Sequence, residues 1–210
     1  KANDEYKLLY IDANNLYRWA MMQAMPFAFF DLVEVDGECD WESIILNLDD
    51  NSSFGYFFEV DLEYPDEIKF KSKNLPYCPE HKTVTDDELS DYQKKLKKDS
   101  VNSEKLILTQ DNKYNYIVHY RMLKFYLKQG MILKKVHRYI SFYQDKWLEK
   151  YIDFNTQQRT ISKTDFEKDY FKLKNNAYFG KTCENIRNRN NIELVNNEER
   201  LRHLQSNPKH

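Results

Sequence analysis

Asp12 closes a short apolar run, Tyr6–Asp12 (YKLLYID), and a turn and a helix follow it. A carboxylate at the end of a buried strand is held on rigid scaffold yet reaches solvent, as a metal-binding acid must. Strands also end in Asp for turn chemistry alone, so this residue gains weight only in company. Tyr17 lies five residues on, one turn into the following helix, where an aromatic ordinarily packs into a core. Farther along, Lys168, Lys172, Asn176 and Gly180 recur every fourth residue in a long helical segment. A lysine stripe of this kind is usually the solvated face of an amphipathic helix. Gly180 argues for more, because glycine inside a helix costs about 1 kcal/mol relative to alanine and implies close approach by a bulky partner. Two other groupings are weaker. Cys78 and His81 have the spacing of half a zinc site, but no second pair follows, and zinc takes three or four ligands. Asp61-Leu-Glu-Tyr64-Pro65 also ends an apolar run, and we read Asp61 as structural or peripheral.

The elements that must position these residues follow from periodicity. Tyr6–Asp12 reads as a buried strand. Asn14–Met25 reads as a helix with Leu16, Ala20 and Met21 inward, ended by Pro26. Ala28–Val35, Tyr56–Leu62, Lys105–Thr109, Tyr114–Val118 and Met131–Phe142 read as strands. Between Pro65 and about Lys105 the chain is polar and charged, with a lysine cluster at Lys94–Lys98, and a loop-rich insertion is expected. His119–Gln129 reads as a helix closed by Gly130, followed by helices at Asp145–Phe154 and Thr164–Ile186. In the last, Phe166, Tyr170, Leu173 and Ala177 form an apolar stripe. Strands interrupted by helices, with helices bunched late, predict an α+β fold.

Composition excludes several classes. The 210 residues are 41 % hydrophobic and 15 % aromatic, too apolar for disorder, and 4 Gly and 5 Pro are too few for a collagen-like or low-complexity chain. No run approaches the ~20 apolar residues of a membrane span. Three scattered cysteines argue for a reducing, intracellular setting. The net charge of −2 hides a division. Residues 1–100 carry 11 basic and 22 acidic side chains, and residues 101–210 carry 21 and 12. Such asymmetry points to a partner that reads the two halves differently.

Taken together, the first two groupings resemble known motifs. Asp12-Ala-Asn-Asn15-Leu16-Tyr17 resembles the first polymerase motif of family B DNA polymerases, Asp-x-x-Ser-Leu-Tyr. Lys172-Leu-Lys-Asn-Asn176-Ala-Tyr-Phe179-Gly180 resembles the fingers motif, Lys-x-x-x-Asn-Ser-x-Tyr-Gly. Their order and their separation of 160 residues are similar to the protein-primed branch. FFEVDLEYP, HYRMLKFYLKQGMILKKVHRYISF, DKWLEKYIDFNT and DFEKDYFKLKNNAYFGKTCENIRNR also look like polymerases of viruses, linear plasmids and Polinton-type elements. The resemblance covers most of the chain and is weakest at about 66–104. It departs at Arg18, where the family has Gly or Pro, and at Lys174, usually apolar; both add positive charge near the proposed site. Ala177 for Ser and Phe179 for Tyr are milder changes.

The resemblance implies a palm, an antiparallel sheet backed by helices, over 1–144 with an insertion at about 66–104. It implies a helical-hairpin fingers subdomain over 145–187 and a return to the palm over 188–210. Asp12 would be the catalytic, metal-binding acid for two Mg²⁺ ions. Leu16 would offer its backbone near the triphosphate, and Tyr17 would pack under the sugar and exclude a 2′-hydroxyl. Lys172 would bind the triphosphate, with Arg159, Lys163 and Lys168 as further contacts, while Asn176 and Gly180 would face the nascent base pair. Lys181 and Arg187 would touch DNA. The implied partners are a DNA template-primer, a deoxynucleoside triphosphate and a terminal protein primer, in a nuclear, organellar or viral replication setting, with no membrane. No Tyr-x-Asp-Thr-Asp run follows the fingers motif, so the stretch in hand is expected to be one segment of a longer polymerase, inactive alone. A remnant that binds DNA without catalysis is the alternative, and a structural interaction domain the third reading.

Overall fold

The computed structural model describes residues 9–12, 15–37, 39–96, 104–189 and 192–206. The chain is α+β, as expected, and clusters into two compact units. One comprises residues 22–148; the other combines residues 1–21 with 149–210.

The 22–148 unit is built on β1 (Met25–Glu34), β2 (Phe54–Glu63), β5 (Lys113–His119) and β6 (Ile132–Asp145), an antiparallel sheet in the order β1-β6-β2-β5. β6 is long enough, at 14 residues, to pair with both β1 and β2. Alternation along β2 buries Phe58, Val60 and Leu62 on one face, as period-2 pleating requires. Helices α2 (Trp41–Asn47) and α5 (Tyr120–Lys128) supply Ile45, Leu123 and Leu127 to the same core. α5 is capped by His119 and followed by Gly130 at φ +103, a left-handed position that glycine occupies without strain. A Cβ there would also come within 2.7 Å of Ile68 Cδ1.

Several boundaries differ from the sequence expectation. Residues 6–8 of the Tyr6–Asp12 strand lie outside the described residues, and Leu9–Asp12 are exposed and not in a strand. Leu9, Tyr10 and Ile11 are 81 %, 91 % and 79 % exposed. An apolar run becomes a strand only when another backbone takes up its N–H and C=O groups. The first helix, α1, is only Leu16–Met21, and the chain is extended by Met25, as the residue before a proline prefers. Pro26 itself lies in β1, an edge strand, where its missing N–H is tolerated. The 66–104 region is less loop-like than its composition predicts. It holds α3 (Asp66–Lys71), α4 (Asp91–Leu96) and β3 (Glu80–Lys82), which pairs with β4 (Lys105–Ile107) inside the expected Lys105–Thr109 strand, with 97–103 outside the described residues. α3 places Asp66 and Glu67 in its first turn and Lys69 and Lys71 in its last, matching the helix dipole.

The other unit contains α1, α6 (Glu149–Ile161), α7 (Asp165–Thr182) and α8 (Glu198–Gln205). β6 continues through Asp145, so α6 starts later than expected. The apolar stripe of α7 also departs from expectation. Phe166, Tyr170, Leu173 and Ala177 are exposed, while Asn175 is buried on the face that meets α6. Packing chose the face with the buried amide pair over the face with more carbon. Among the described residues no helix is long and apolar enough to cross a membrane.

Candidate functional site

α7 begins with a reciprocal cap. Thr164 accepts from the Glu167 N–H at 3.2 Å, and the Glu167 carboxylate accepts from the Thr164 N–H at 3.2 Å. That arrangement satisfies two orphan donors, and the bond from the Thr164 backbone holds the Glu167 carboxyl below its usual range. α6 and α7 are then locked by a buried bond in which Asn155 Nδ2 donates to Asn175 Oδ1 at 3.0 Å. α1 docks on both. Tyr17 stacks on Phe179 with ring centroids 4.2 Å apart and planes 6° from parallel. Arg18 Nη2 reaches Asp153 Oδ1 at 3.2 Å.

These contacts enclose a cleft of about 250 Å³ lined by Asn15, Arg18, Thr156, Arg159, Thr160, Lys168, Lys172, Asn175 and Asn176. On α7, positions 168, 172, 175 and 176 share a face by three- and four-residue spacing; on α6, positions 153, 156 and 160 do likewise. Among the described residues four cationic side chains and no carboxylate line the cleft. Asp153 partly neutralises Arg18 and Asp165 partly neutralises Lys168, at 3.2 Å in each pair. Among the described residues Arg159 and Lys172 have no ion-pair partner. Four cations around amides and hydroxyls of this extent suit a polyanion with several oxygens.

Lys168, Lys172 and Asn176 line the cleft together with Arg159. Tyr17 is beside it on Phe179, and Leu16, one residue earlier on α1, is exposed. Lys163 lies in the α6–α7 connection, outside the cleft lining. Gly180 is exposed, and among the described residues a Cβ there would meet nothing within 4 Å, so none of them demands the glycine. Lys181 pairs with Glu184, and Arg187 is exposed in a short 3₁₀ turn. Asn15, Arg18, Thr156, Thr160 and Asn175 were not selected as site residues from sequence; only Arg18 carried a signal, as a charge where the motif has none.

Asp12 is exposed in irregular backbone and does not line the cleft. Among the described residues no group of three or more His, Cys, Asp or Glu is arranged to hold a metal ion. One exposed carboxylate does not by itself make a two-Mg²⁺ site. In the other unit, Asp61 is held in place structurally, accepting from the Asn115 N–H at 2.9 Å and lying 2.9 Å from His137 Nε2. Cys78 is fully buried, and burial pushes its thiol up to about 12.

No family model, no curated protein and no solved structure matches this chain.

Proposed function

We propose that this chain is a palm-and-fingers segment of a family B, protein-primed-type DNA polymerase, and that its cationic cleft takes the triphosphate of an incoming deoxynucleotide. One observation carries the reading: Asn15 and Arg18, from the stretch resembling the first motif, line the same cleft as Lys168, Lys172 and Asn176, from the stretch resembling the fingers motif. Residues 150 or more positions apart in sequence thus converge on an anion-sized cavity.

In this reading Lys172, Lys168 and Arg159 neutralise the phosphates, since phosphoryl-transfer sites act mainly by positioning and charge stabilisation. Lys163 is a peripheral contact. Tyr17, held rigidly by Phe179, packs under the sugar, and Leu16 offers backbone. Asn176 and the open surface at Gly180 face the base pair, with Lys181 and Arg187 toward DNA. Asp12 is the acid proposed for the metal, and it needs companion carboxylates beyond the described residues. Template-primer DNA, a deoxynucleoside triphosphate and a terminal protein are the partners, in an intracellular setting. The isolated exposed position of Asp12 favours a second reading, a polymerase remnant that binds nucleotide and DNA without turnover.

The test is a titration with fluorescent deoxyadenosine triphosphate in EDTA. Lys172→Ala removes a charge-assisted contact and should weaken binding by about tenfold. Lys95→Ala, on exposed α4, should leave it unchanged. Equal effects would refute the cleft assignment.

A further inference from the structure

We propose that Arg18 is a direct phosphate ligand of the cleft, held ready by Asp153 and released from it when a polyphosphate enters. The inference rests on the anion-binding reading of the cleft and adds a residue that the motif resemblance does not supply.

α1 has little freedom to turn. Asn15, at φ +56, accepts the first helical bond from the Trp19 N–H at 3.2 Å. Tyr17 is pinned flat on Phe179 of α7. With Tyr17 fixed against α7, the next residue, about 100° around the helix, is carried to the α6 side, where Arg18 lines the cleft above Thr156 and Thr160.

The guanidinium is incompletely satisfied there. Nη2 donates to Asp153, while Nε is buried and has no hydrogen-bond partner among the described residues. A buried donor on a charged group is costly to leave unpaired. Asp153 offers one contact to a group that can donate five N–H bonds in a planar fork. A phosphate group presents oxygens matched to that fork and binds arginine through two parallel bonds. Turning toward a phosphate in the cleft would exchange one carboxylate contact for two phosphate contacts and give Nε an acceptor. Lys168 and Lys172, on the α7 side, would hold the neighbouring phosphates of the same chain.

Asp153 has two consequences for the cleft. It lowers the local positive charge, which disfavours weakly charged anions, and it keeps Arg18 from extending into solvent. A single inorganic phosphate displaces this pair less effectively than a polyphosphate whose other groups are already held on α7.

Isothermal titration of the whole chain with inorganic tripolyphosphate tests this, with thermal unfolding recorded for each variant. Arg18→Met keeps the apolar stem and loses the charge, and should weaken tripolyphosphate binding about fivefold to tenfold, the range expected for a charge-assisted contact. Asp153→Asn leaves Arg18 in place without its competitor, and should tighten binding about twofold or more, as expected for removing a partly exposed ion pair. Opposite signs for the two variants are the expected signature. If both weaken binding and lower the unfolding temperature alike, Arg18 is only a strut between α1 and α6, and the inference is overturned. It is also overturned if Arg18→Met binds like the parent while Lys172→Ala does not. If Arg18→Met and Lys172→Ala both bind like the parent, the anion-binding reading of the cleft fails as well.

Discussion

His119 shows how one residue can serve local structure and set a pH limit. Its Nδ1 accepts from the Arg121 N–H at 3.4 Å and caps α5. Burial, aided by the Arg121 charge and opposed by Asp50, pushes its pKa down to about 4 from 6.5. The imidazole therefore stays neutral in the fold at pH values where the unfolded chain protonates. Its contribution to stability is whole above pH 6.5 and is lost as pH falls from 6.5 toward 4. Full loss is at most about 3 kcal/mol, less after solvent screening. The depressed carboxyls of Asp61 and Glu80 withdraw their stabilisation mostly below pH 5, as they protonate in the unfolded chain around the ordinary values of 3.8 and 4.5. Urea midpoints between pH 7 and 5 therefore report mainly on His119. They should fall with pH in the parent and stay nearly flat in His119→Asn, which can still cap α5. An unchanged pH slope in that variant would assign the effect to other groups.

At the scale of elements, α7 depends on its first turn. The Thr164–Glu167 capping box satisfies two of the orphan N–H groups at the N-terminus, and Asp165 and Glu167 oppose the positive end of the dipole. Lys168 lies one turn from Thr164 and donates its own N–H to the Thr164 carbonyl at 3.2 Å. Fraying there would move one wall of the cleft. Thr164→Ala should cost about 1 kcal/mol of stability, the usual loss for an N-cap side chain. It should also weaken tripolyphosphate binding, while Thr164→Ser retains both, as thermal unfolding and titration would report. Loss of stability without any change in binding would mean that the first turn is not part of the cleft wall.

Over the whole molecule, the charge asymmetry of the sequence takes a different form. By sequence halves the difference is large, but the compact units cut across those halves. Residues 22–148 carry 17 basic and 22 acidic side chains; residues 1–21 with 149–210 carry 15 and 12. Neither unit is strongly charged, so polyanion binding should come from the local cleft and from particular phosphate contacts, not from a global field. Salt dependence is the appropriate measure, because each lost phosphate contact lowers the slope of log affinity on log salt by roughly 0.7 to 0.9. With single-stranded DNA, Lys181→Ala or Arg187→Ala should each reduce the slope by about that amount, and Lys94→Ala should not. Uniform reductions would instead indicate diffuse electrostatics.

Sequence by itself determined the α+β class, most of the sheet-forming runs and the helices with strong local signals. β2, α5 and α7 were legible because strand-type runs, Gly130 at the end of α5 and the three- and four-residue recurrences in α7 are local patterns written in nearby residues. The spacing that singled out Lys168, Lys172 and Asn176 was legible for the same reason: one helix face follows from 3.6 residues per turn. Tertiary structure alone decided which face of α7 packs, and it chose the buried Asn155–Asn175 pair over the more apolar stripe at Phe166, Tyr170 and Leu173. It alone left Leu9–Asp12 without a strand, since pairing needs a second backbone that local pattern cannot supply. And it alone placed Arg18, an apparent departure from a motif, opposite Lys168 and Lys172. Convergence of residues far apart in sequence depends on the packing of α1 against α6 and α7, a long-range contact that no local periodicity encodes.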